Sequence, residues 1–468
     1  MSIRTDAPAP LDRASSGARA AAPVRIVHLG LGAFHRAHQA WYTDAVDADR
    51  EWGIAAFTGR SPDAATTLRA QGGLYTVVER GESDRFHVVS SIVEANDGAD
   101  LDRLCALVAA PTTAIVTITV TEAAYLLGSD GGLAADDPAV VADAATLAPT
   151  TMPGRLVRAL AARRAAGAGP IAVVSCDNLP ANGTAAHNAV VGMARLVDPA
   201  GGLADWIGAN VSFVDTSVDR ITPRATADDS PQVAEATGLL DSAPVVTEPF
   251  TSWVLSGAFP AGRPAWERAG AQFVDDIEPF ERRKLWLLNG AHTLLAYAGS
   301  TRGHTTVFDA ISDPVCAALV DDFWNEASAH LRAPGLAIDD YRAALLDRFG
   351  NARIAHHLAQ IAADGSTKLR LRAVPVLRAE RAEGRSGGAS ARLIAAWIDW
   401  AETATAPVDS RATDIATALR ETGRARTTAM LAIVDAPLAG DTDVVDLVES
   451  LRATDRHRTT SFTEGNHP

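Results

Sequence analysis

The feature that most constrains the fold is an apolar run that leads directly into a glycine turn near the N-terminus. Val24–Leu29 has the composition of a buried β-strand, and a Gly-Leu-Gly turn at 30–32 follows it at once and opens a helix. In a parallel, helix-flanked sheet, such a turn lets backbone NH groups and a helix N-terminus approach a pyrophosphate. We therefore predict a dinucleotide site at this turn, with Gly30, Gly32, Ala33 and Phe34 as cofactor-binding residues.

The turn departs from the usual GxGxxG pattern, because His35 stands where the third glycine is expected. A plain glycine turn is therefore an alternative. A second predicted strand, residues 53–58, precedes Gly59 and Arg60 and offers no carboxylate to the ribose hydroxyls. Arg60 can instead meet a 2′-phosphate, so these residues leave the choice between cofactors open. We predict NAD, with NADP as the alternative and Arg60 in the binding site.

Strand and helix patterns alternate along the first part of the chain. Further strands are predicted at 113–120, 171–175 and 211–214, with Ala-rich helices at 153–166 and 185–196. This alternation predicts an α/β fold with a doubly wound, largely parallel sheet. From about residue 276 the strand patterns fade, and helical patterns rich in Ala, Leu and Arg continue to about residue 453.

Four segments follow from these patterns. We predict a disordered leader over 1–22, a Rossmann-like cofactor-binding domain over 23–275, a mostly α-helical substrate-binding domain over 276–454 and a flexible tail over 455–468. The active site is expected in the cleft between the two domains.

Lysine is nearly absent from the chain. Of 42 Lys and Arg residues, only Lys284 and Lys368 are lysine. A guanidinium stays protonated, whereas a desolvated ammonium can lose its proton and act as a base. Arginine-favouring codon usage is the alternative explanation, so the surroundings of each lysine must decide.

Lys284 lies in a predicted helix that begins near Pro279 and ends at Gly299. Asn289 and His292 follow it in the same helix, and at about 100° per residue the three side chains fall within roughly a 140° arc. One face therefore carries an amine, an amide and an imidazole, which can hold a hydroxyl or carbonyl carbon and move its proton. A buried helix with locally paired polar groups is the alternative.

Six short segments together point to a known family. They are GLGAFHRAHQ at 30–39, TVTE at 119–122, SCDN at 175–178, VDRITP at 218–223, TEPF at 247–250 and KLWLLNGAH at 284–292. This set resembles the long-chain mannitol dehydrogenase family, which includes mannitol 2-dehydrogenase, fructuronate reductase and arabinitol dehydrogenase. The likeness spans residues 24 to about 450, nearly the whole chain.

The resemblance implies reversible hydride transfer, without a metal, between a nicotinamide cofactor and C2 of a sugar alcohol or its ketose. Lys284 matches the family's general base. Asn178 and Asn289 match asparagines that polarise the substrate oxygen, and His292 matches a histidine that orients the substrate.

Two further acidic residues match family positions. Asp219 matches a ligand of substrate hydroxyls, and Glu122 matches an acidic residue on the route by which the proton leaves. Each has a structural alternative, as does Asn178: Asp219 can be a turn residue paired with Arg220, Glu122 can complete a capping box, and Asn178 can be an ordinary turn former.

The second lysine bears on the choice of substrate. The resemblance implies that the segment 360–372 sends basic residues, here Lys368 and Arg372, into the substrate pocket, and its wording is closest to that of fructuronate reductases. Arg370 stands where the family usually has proline. A cation in this segment can bind a substrate carboxylate or form a hydrogen bond with a polyol hydroxyl. We predict conversion of D-mannitol to D-fructose, with fructuronate reductase (D-mannonate to D-fructuronate) or arabinitol dehydrogenase as alternatives.

Composition restricts the partners. A net charge of −15 disfavours binding to nucleic acid or anionic membranes. The cysteines Cys105, Cys176 and Cys316 are scattered, which favours a reduced, cytoplasmic setting, and no zinc-binding motif occurs. We predict a small-molecule polyol, ketose or uronate as partner, no metal, and a monomer or weak homo-oligomer. A cofactor-sensing regulator and a sugar-binding protein are the alternatives from other classes. The regulator would have no use for the 284–292 constellation, and NAD or NADP would not protect the sugar-binding protein in a melting assay.

Overall fold

The computed structural model describes residues 7–14, 20–354, 356–404 and 408–463, with side chains described as far as residue 452. The chain forms two compact units, Met1–Glu278 and Pro279–Pro468. This division falls close to the predicted domain boundary after residue 275. Each unit has its own architecture.

The N-terminal unit is built on β-strands. The strands in its described part are β1 Ala9–Pro10, β2 Val24–Leu29, β3 Gly53–Phe57, β4 Tyr75–Arg80, β5 Asp84–Val89, β6 Ile92–Asn96, β7 Ile115–Ile118, β8 Ile171–Ser175, β9 Val211–Asp219, β10 Leu239–Leu240, β11 Val245–Thr247, β12 Ser252–Ser256 and β13 Gln272–Phe273. Most of them form one sheet of eight strands in the order β13-β12-β9-β8-β7-β2-β3-β6.

Helices connect and cover these strands. They are α1 Ala33–Ala37, α2 Gln39–Val46, α3 Asp63–Ala70, α4 Leu101–Ala109, α5 Pro138–Ala144, α6 Met152–Ala166, α7 Asn182–Val197, α8 Leu203–Asn210 and α9 Asp229–Thr237, with 3₁₀ turns at Glu122–Tyr125 and Trp266–Ala269. The predicted helices at 153–166 and 185–196 correspond to α6 and α7.

The sheet is parallel from β9 to β6, and the chain reverses its winding between β2 and β7. Ile26 pairs with Ile115 on one side of β2 and with Ile54 on the other. β12 joins β9 antiparallel. Alternate residues of β2 enter separate cores: Val27 and Leu29 pack in one buried cluster, and Ile26 packs in another. The predicted doubly wound sheet is confirmed, and its carboxyl ends open at the point where ligands bind in this fold.

Several strands were not predicted from the sequence, because they pair with segments that are distant in the chain. A separate sheet has the order β11-β4-β5, and β11 lies parallel to β4 although they are far apart in the chain. The predicted strand at 211–214 continues to Asp219 as β9. This extension pairs antiparallel with β12, whose position the local pattern does not reveal.

The structure differs from a fully disordered leader. Ala9–Pro10 pairs with Leu239–Leu240, and Leu11 is buried. The Arg13 guanidinium donates to the carbonyls of Gly72 and Ile92 at 2.8 and 2.9 Å. Residues 1–6 and 15–19 of the predicted leader lie outside the described residues. The ordered part is held by partners distant in sequence, which the Ala/Pro-rich composition does not indicate.

Arg163 on α6 is a buried cation that binds backbone carbonyls. Its guanidinium donates to Val108 and Gly169 at 2.7 and 2.8 Å, and to three further carbonyls, those of Ala110, Ala168 and Pro170. We expect Arg163→Met to lower the free energy of unfolding by about 2–4 kcal/mol, because these carbonyls would lose their donor inside the protein. Urea unfolding measures this. Arg164→Met, at an exposed neighbour, is the control and should change stability little. Equal effects of the two substitutions would contradict the prediction.

The C-terminal unit is helical, as predicted. Its helices are α10 Glu278–Arg283, α11 Ala291–Leu294, α12 Val307–Ser312, α13 Pro314–Ala329, α14 Ile338–Phe349, α15 Leu358–Ile361, α16 Gly365–Arg372, α17 Val374–Ala382, α18 Gly388–Thr403, α19 Ala412–Ala418, α20 Gly423–Val434, α21 Ala436–Ala439 and α22 Thr442–Thr463, with π-helical segments at Lys284–Gly290 and Leu295–Gly299. Helix α22 continues into the predicted flexible tail, and residues 464–468 lie outside the described residues.

Candidate active site

A cavity of about 1510 Å³ lies at the carboxyl ends of β2, β3 and β7 in the N-terminal unit. All five predicted cofactor-binding residues line it: Gly30, Gly32, Ala33, Phe34 and Arg60. Asn178 and Glu122 line it as well. Residues that lie far apart in the sequence therefore meet at one opening of the sheet.

The Gly30 turn has a geometry that only glycine adopts easily. Gly30 has φ +110°, and a Cβ at this position would lie 2.0 Å from the carbonyl oxygen of Thr119. The NH groups of Gly30 and Leu31 both donate to the carbonyl of Phe57, at 2.9 and 2.8 Å. The turn is therefore held in place by its hydrogen bonds to the end of β3 and by its close packing against Thr119, the residue that follows β7. Gly32 is different, since the nearest atom to a Cβ there is the Gly30 oxygen at 3.6 Å.

His35 explains the missing third glycine. Its ring stacks on that of His28 with centroids 3.3 Å apart and planes 8° apart, and both residues are fully buried. The Thr119 hydroxyl donates to the Gly30 carbonyl at 2.9 Å and lies 3.0 Å from His28 Nε2. The two imidazoles therefore pack beneath the glycine turn and brace it. This pair was not predictable from the sequence, because its members lie on different elements.

Burial lowers the pKa of His28 to about 3. An unfolded histidine has a pKa of about 6.5, so between pH ~3 and ~6.5 the unfolded chain binds more protons than the folded chain. We expect the free energy of unfolding to fall as the pH falls through this window, by up to about 1.4 kcal/mol per pH unit from this group. Urea unfolding from pH 7 to 4 measures the slope. His28→Gln should flatten it, whereas the exposed control His357→Gln should not; an unchanged slope in His28→Gln would argue against the assignment.

Asn178 follows β8 on a turn that hydrogen bonds to the neighbouring Asp177 hold in place. The carboxylate of the neighbouring Asp177 accepts hydrogen bonds from the Tyr125 hydroxyl and from the NH of Leu179. The amide of Asn182 donates to the Asp177 carbonyl at 3.2 Å. Burial raises the pKa of Asp177. Asn178 is itself exposed and faces the cavity on this rigid support.

Glu122 begins the 3₁₀ turn after β7 and is exposed at the cavity. Glu122 is the first residue of this turn, whereas a capping box needs its acidic residue at the third position, so the capping-box alternative does not hold. Asp219 ends β9 and is half-buried. The adjacent Arg220 is buried and donates to Glu79 at 2.6 Å.

The C-terminal unit holds the other predicted catalytic residues on its first helical run. Lys284 and Asn289 are half-buried and lie in a π-helical segment, and the buried His292 follows. In an α-helix, residues five apart differ by about 140° around the axis. In a π-turn the hydrogen bond joins residues i and i+5, so positions 284 and 289 lie about one turn apart. The amine and the amide therefore project closer together than α-helical spacing predicts.

Arg372 supports this helix from α16. Its Nη1 donates to the Asn289 carbonyl at 3.1 Å and to the Thr293 hydroxyl at 2.7 Å. Burial lowers the pKa of Arg372 to about 10. Lys368, one turn earlier, donates to the Ile361 carbonyl at 2.8 Å, and burial followed by the charge of Arg372 lowers the pKa of Lys368.

The surroundings of His292 are basic. Burial lowers its pKa well below the ordinary value, and His356, Arg348 and Arg372 lower it further. The rings of His292 and His356 lie 4.8 Å apart, and burial lowers the pKa of His356 to about 4. Within the described part of the chain, His292 Nε2 and Arg372 Nε are buried without a hydrogen bond. Prediction from sequence missed Arg348 and His356 here, because they come from other elements of the unit.

Among the described residues, His304, Asp313 and Cys316 have donor atoms within 4.8 Å of one another, as metal ligands do. Asp313 already pairs with Arg302 and with His304, at 2.6 and 2.9 Å. It also caps α13 through the NH of Val315. These bonds account for the cluster without an ion. No helix in the described ranges has the length and apolar character needed to cross a bilayer.

Comparison with known proteins identifies the family of both units. The family model of the mannitol dehydrogenase Rossmann domain matches residues 24–268, and that of the mannitol dehydrogenase C-terminal domain matches residues 276–452. D-mannonate oxidoreductase of Escherichia coli (strain K12) is 38% identical over 392 residues, covering 81% of this chain and 80% of that protein. Mannitol 2-dehydrogenase of Cereibacter sphaeroides is 38% identical over 386 residues, covering 80% of each.

A solved structure is similar as well. The Pseudomonas fluorescens mannitol 2-dehydrogenase, in a ternary complex with NAD and D-mannitol, has 34% sequence identity and a TM-score of 0.76, with 94% of each chain covered. The family matches cover both units, and the resemblance inferred from six short segments is confirmed. This chain is an oxidoreductase that belongs to the mannitol dehydrogenase family.

Proposed function

We propose that this protein transfers a hydride between NAD and a secondary alcohol carbon of an open-chain sugar alcohol or sugar acid. The observation that carries the proposal is Lys284, one of two lysines in the chain, standing five positions before Asn289 on a π-helical segment that leads into the buried His292. Segments of π-helix occur frequently at functional sites. An amine beside a carboxamide and an imidazole suits proton transfer at a carbinol.

The cavity of the N-terminal unit fits a dinucleotide. It lies at the carboxyl ends of the strands, and Gly32 leaves room for a close approach to the backbone. Gly30, Gly32, Ala33 and Phe34 would hold the pyrophosphate end, and Arg60 would lie near the adenosine ribose. A bound nicotinamide supplies the hydride acceptor for alcohol oxidation and the hydride donor for ketone reduction.

The side chains of the protein manage the proton and the charge on oxygen. The neutral amine of Lys284 accepts the hydroxyl proton as hydride leaves the carbon, and the amides of Asn289 and Asn178 donate to the developing oxyanion. His292 orients the substrate, and Asp219 binds one of its hydroxyls. Glu122, exposed at the cavity, accepts the proton on its way to solvent.

D-Mannitol and D-fructose are our first substrate pair, since the structurally similar Pseudomonas protein was solved with NAD and D-mannitol. D-Mannonate and D-fructuronate are the second pair. The basic surroundings of His292 favour this second pair. The charges of Arg348 and Arg372 lower the pKa of His292, and the charge of Arg372 also lowers the pKa of Lys368. A guanidinium binds a carboxylate more strongly than a neutral hydroxyl.

A substrate panel separates these pairs. We expect measurable kcat/KM for fructose with NADH, and the panel would add mannitol, arabinitol, sorbitol, fructuronate and tagaturonate, each with NAD(H) and NADP(H). A kcat/KM that is higher for fructose than for fructuronate supports the first pair, and the reverse order supports the second. Binding of cofactor without turnover on any compound would contradict the enzymatic proposal.

A further inference from the structure

A second cavity, of about 510 Å³, lies on the N-terminal unit beside α6. Much of its lining is apolar and includes Val157, Ala161 and Leu203. Leu147 and Val197 also line it, with exposed fractions of 75% and 40%. Cavities of roughly 300–1,000 Å³ with apolar walls and a few polar groups are typical small-molecule sites. The proposed reaction uses none of these residues.

Among the residues that the structure describes, the charged groups at this cavity leave one cation available. Arg164 pairs with Asp198 at 3.5 Å and donates to the Gly201 carbonyl at 2.8 Å. The Asp143 carboxylate is buried and accepts hydrogen bonds from Thr150 and Thr151. Arg158 is exposed, and no hydrogen bond or ion pair links it to any residue that the structure describes. An apolar lining with a single available guanidinium suits a ligand that has an apolar body and one anionic group.

Helix α6 connects this cavity with the cofactor cavity. Met152 and Arg155, in its first turn, line the cofactor cavity, whereas Val157, Arg158 and Ala161 line the second cavity. The i, i+4 spacing of Val157 and Ala161 places them on one face of the helix.

Asp143 provides a second connection. It lines the second cavity and accepts from the NH and hydroxyl of Thr151, at 2.7 and 2.6 Å. Thr151 lines the cofactor cavity and caps α6 by accepting from the NH of Gly154 at 3.1 Å. A ligand that moves Asp143 would therefore move the cap of α6 at the edge of the cofactor cavity.

We propose that the second cavity binds an amphipathic organic anion, of which a medium-chain carboxylate is the simplest form, and that its binding changes the affinity for the cofactor. The apolar body contacts Val157, Ala161 and Leu203, and the anionic group binds Arg158. Asp143 and Thr151 transmit the coupling between the second cavity and the cofactor cavity. This coupling rests on the proposed cofactor site. Coupling of this kind is reciprocal, so the cofactor changes anion affinity by the same factor.

Calorimetric titration of the full-length protein with decanoate tests the site without any cofactor. We expect saturable binding with one site per chain, weakened about tenfold by Arg158→Gln because a charge-assisted hydrogen bond is lost. Ala161→Phe should remove binding by filling the cavity, and Ala165→Trp does the same from an exposed lining position if the first variant folds poorly. Arg85→Gln removes the same charge from an exposed position outside the cavity and should leave binding unchanged.

Several outcomes would overturn the site. Decyltrimethylammonium binding as tightly as decanoate would show that the cavity does not select an anion, and decanoate binding that persists in both cavity-filling variants would place the ligand elsewhere. A concentration-dependent dimer, lost in Leu147→Asp, would assign this face to a second copy of the chain.

The coupling is tested separately by titrating NAD with and without saturating decanoate. A several-fold change in Kd for NAD, absent in Arg158→Gln, supports it. An unchanged Kd overturns the coupling, and absence of any NAD binding overturns the cofactor assignment and not the anion site.

Discussion

Replacing Lys284 with alanine is expected to lower kcat for alcohol oxidation by roughly 10²–10⁴-fold while leaving cofactor affinity unchanged. The amine is the proposed proton acceptor, and Lys284 lies in the C-terminal unit, whereas the predicted cofactor-binding residues line the cavity of the N-terminal unit. Stopped-flow measurement of hydride transfer, together with titration of NAD, separates the two effects.

Two variants sharpen this test. Lys284→Arg keeps the positive charge but cannot accept a proton, so it should lose as much activity as Lys284→Ala. Added primary amines should restore part of the activity of Lys284→Ala only. Lys368→Ala removes the other lysine, which donates to the Ile361 carbonyl, and it should raise KM more than it lowers kcat. Near-normal turnover in Lys284→Ala would rule out the assignment of the base.

Replacing Gly30 with alanine is expected to lower the free energy of unfolding by about 3 kcal/mol or more and to abolish cofactor binding. The added methyl group would lie 2.0 Å from the Thr119 oxygen, in a backbone conformation with φ +110°. The turn would have to move, and with it the hydrogen bonds that Gly30 and Leu31 make to Phe57. Thermal melting and NAD titration measure the two effects.

Gly32→Ala is the matched control. A methyl group there meets no atom closer than the Gly30 oxygen at 3.6 Å. We expect its stability to stay close to that of the wild type, while NAD affinity falls because the methyl group occupies space that the pyrophosphate needs. Similar melting temperatures for the two variants would show that the Gly30 conformation is not the constraint described here.

Patterns that are local in the chain were predictable. The strand Val24–Leu29, its glycine turn and the helical run that carries Lys284 depend on neighbouring residues, and the structure contains all three. The family likewise followed from short motifs, because each segment keeps its spacing. The π-helical form of Lys284–Gly290 was not predictable, since the residues that compose it also suit an ordinary α-helix.

By itself, the sequence determined the alternation of strands and helices in the first part of the chain, the largely parallel sheet and the family, since these depend on periodicity and short motifs. Only the tertiary structure decided which distant groups meet. It stacked His28 on His35, placed Arg372 against the Asn289 carbonyl and surrounded Arg163 with backbone carbonyls. Each contact joins different elements, and its energy depends on burial and on distance through space, which spacing along the chain does not encode.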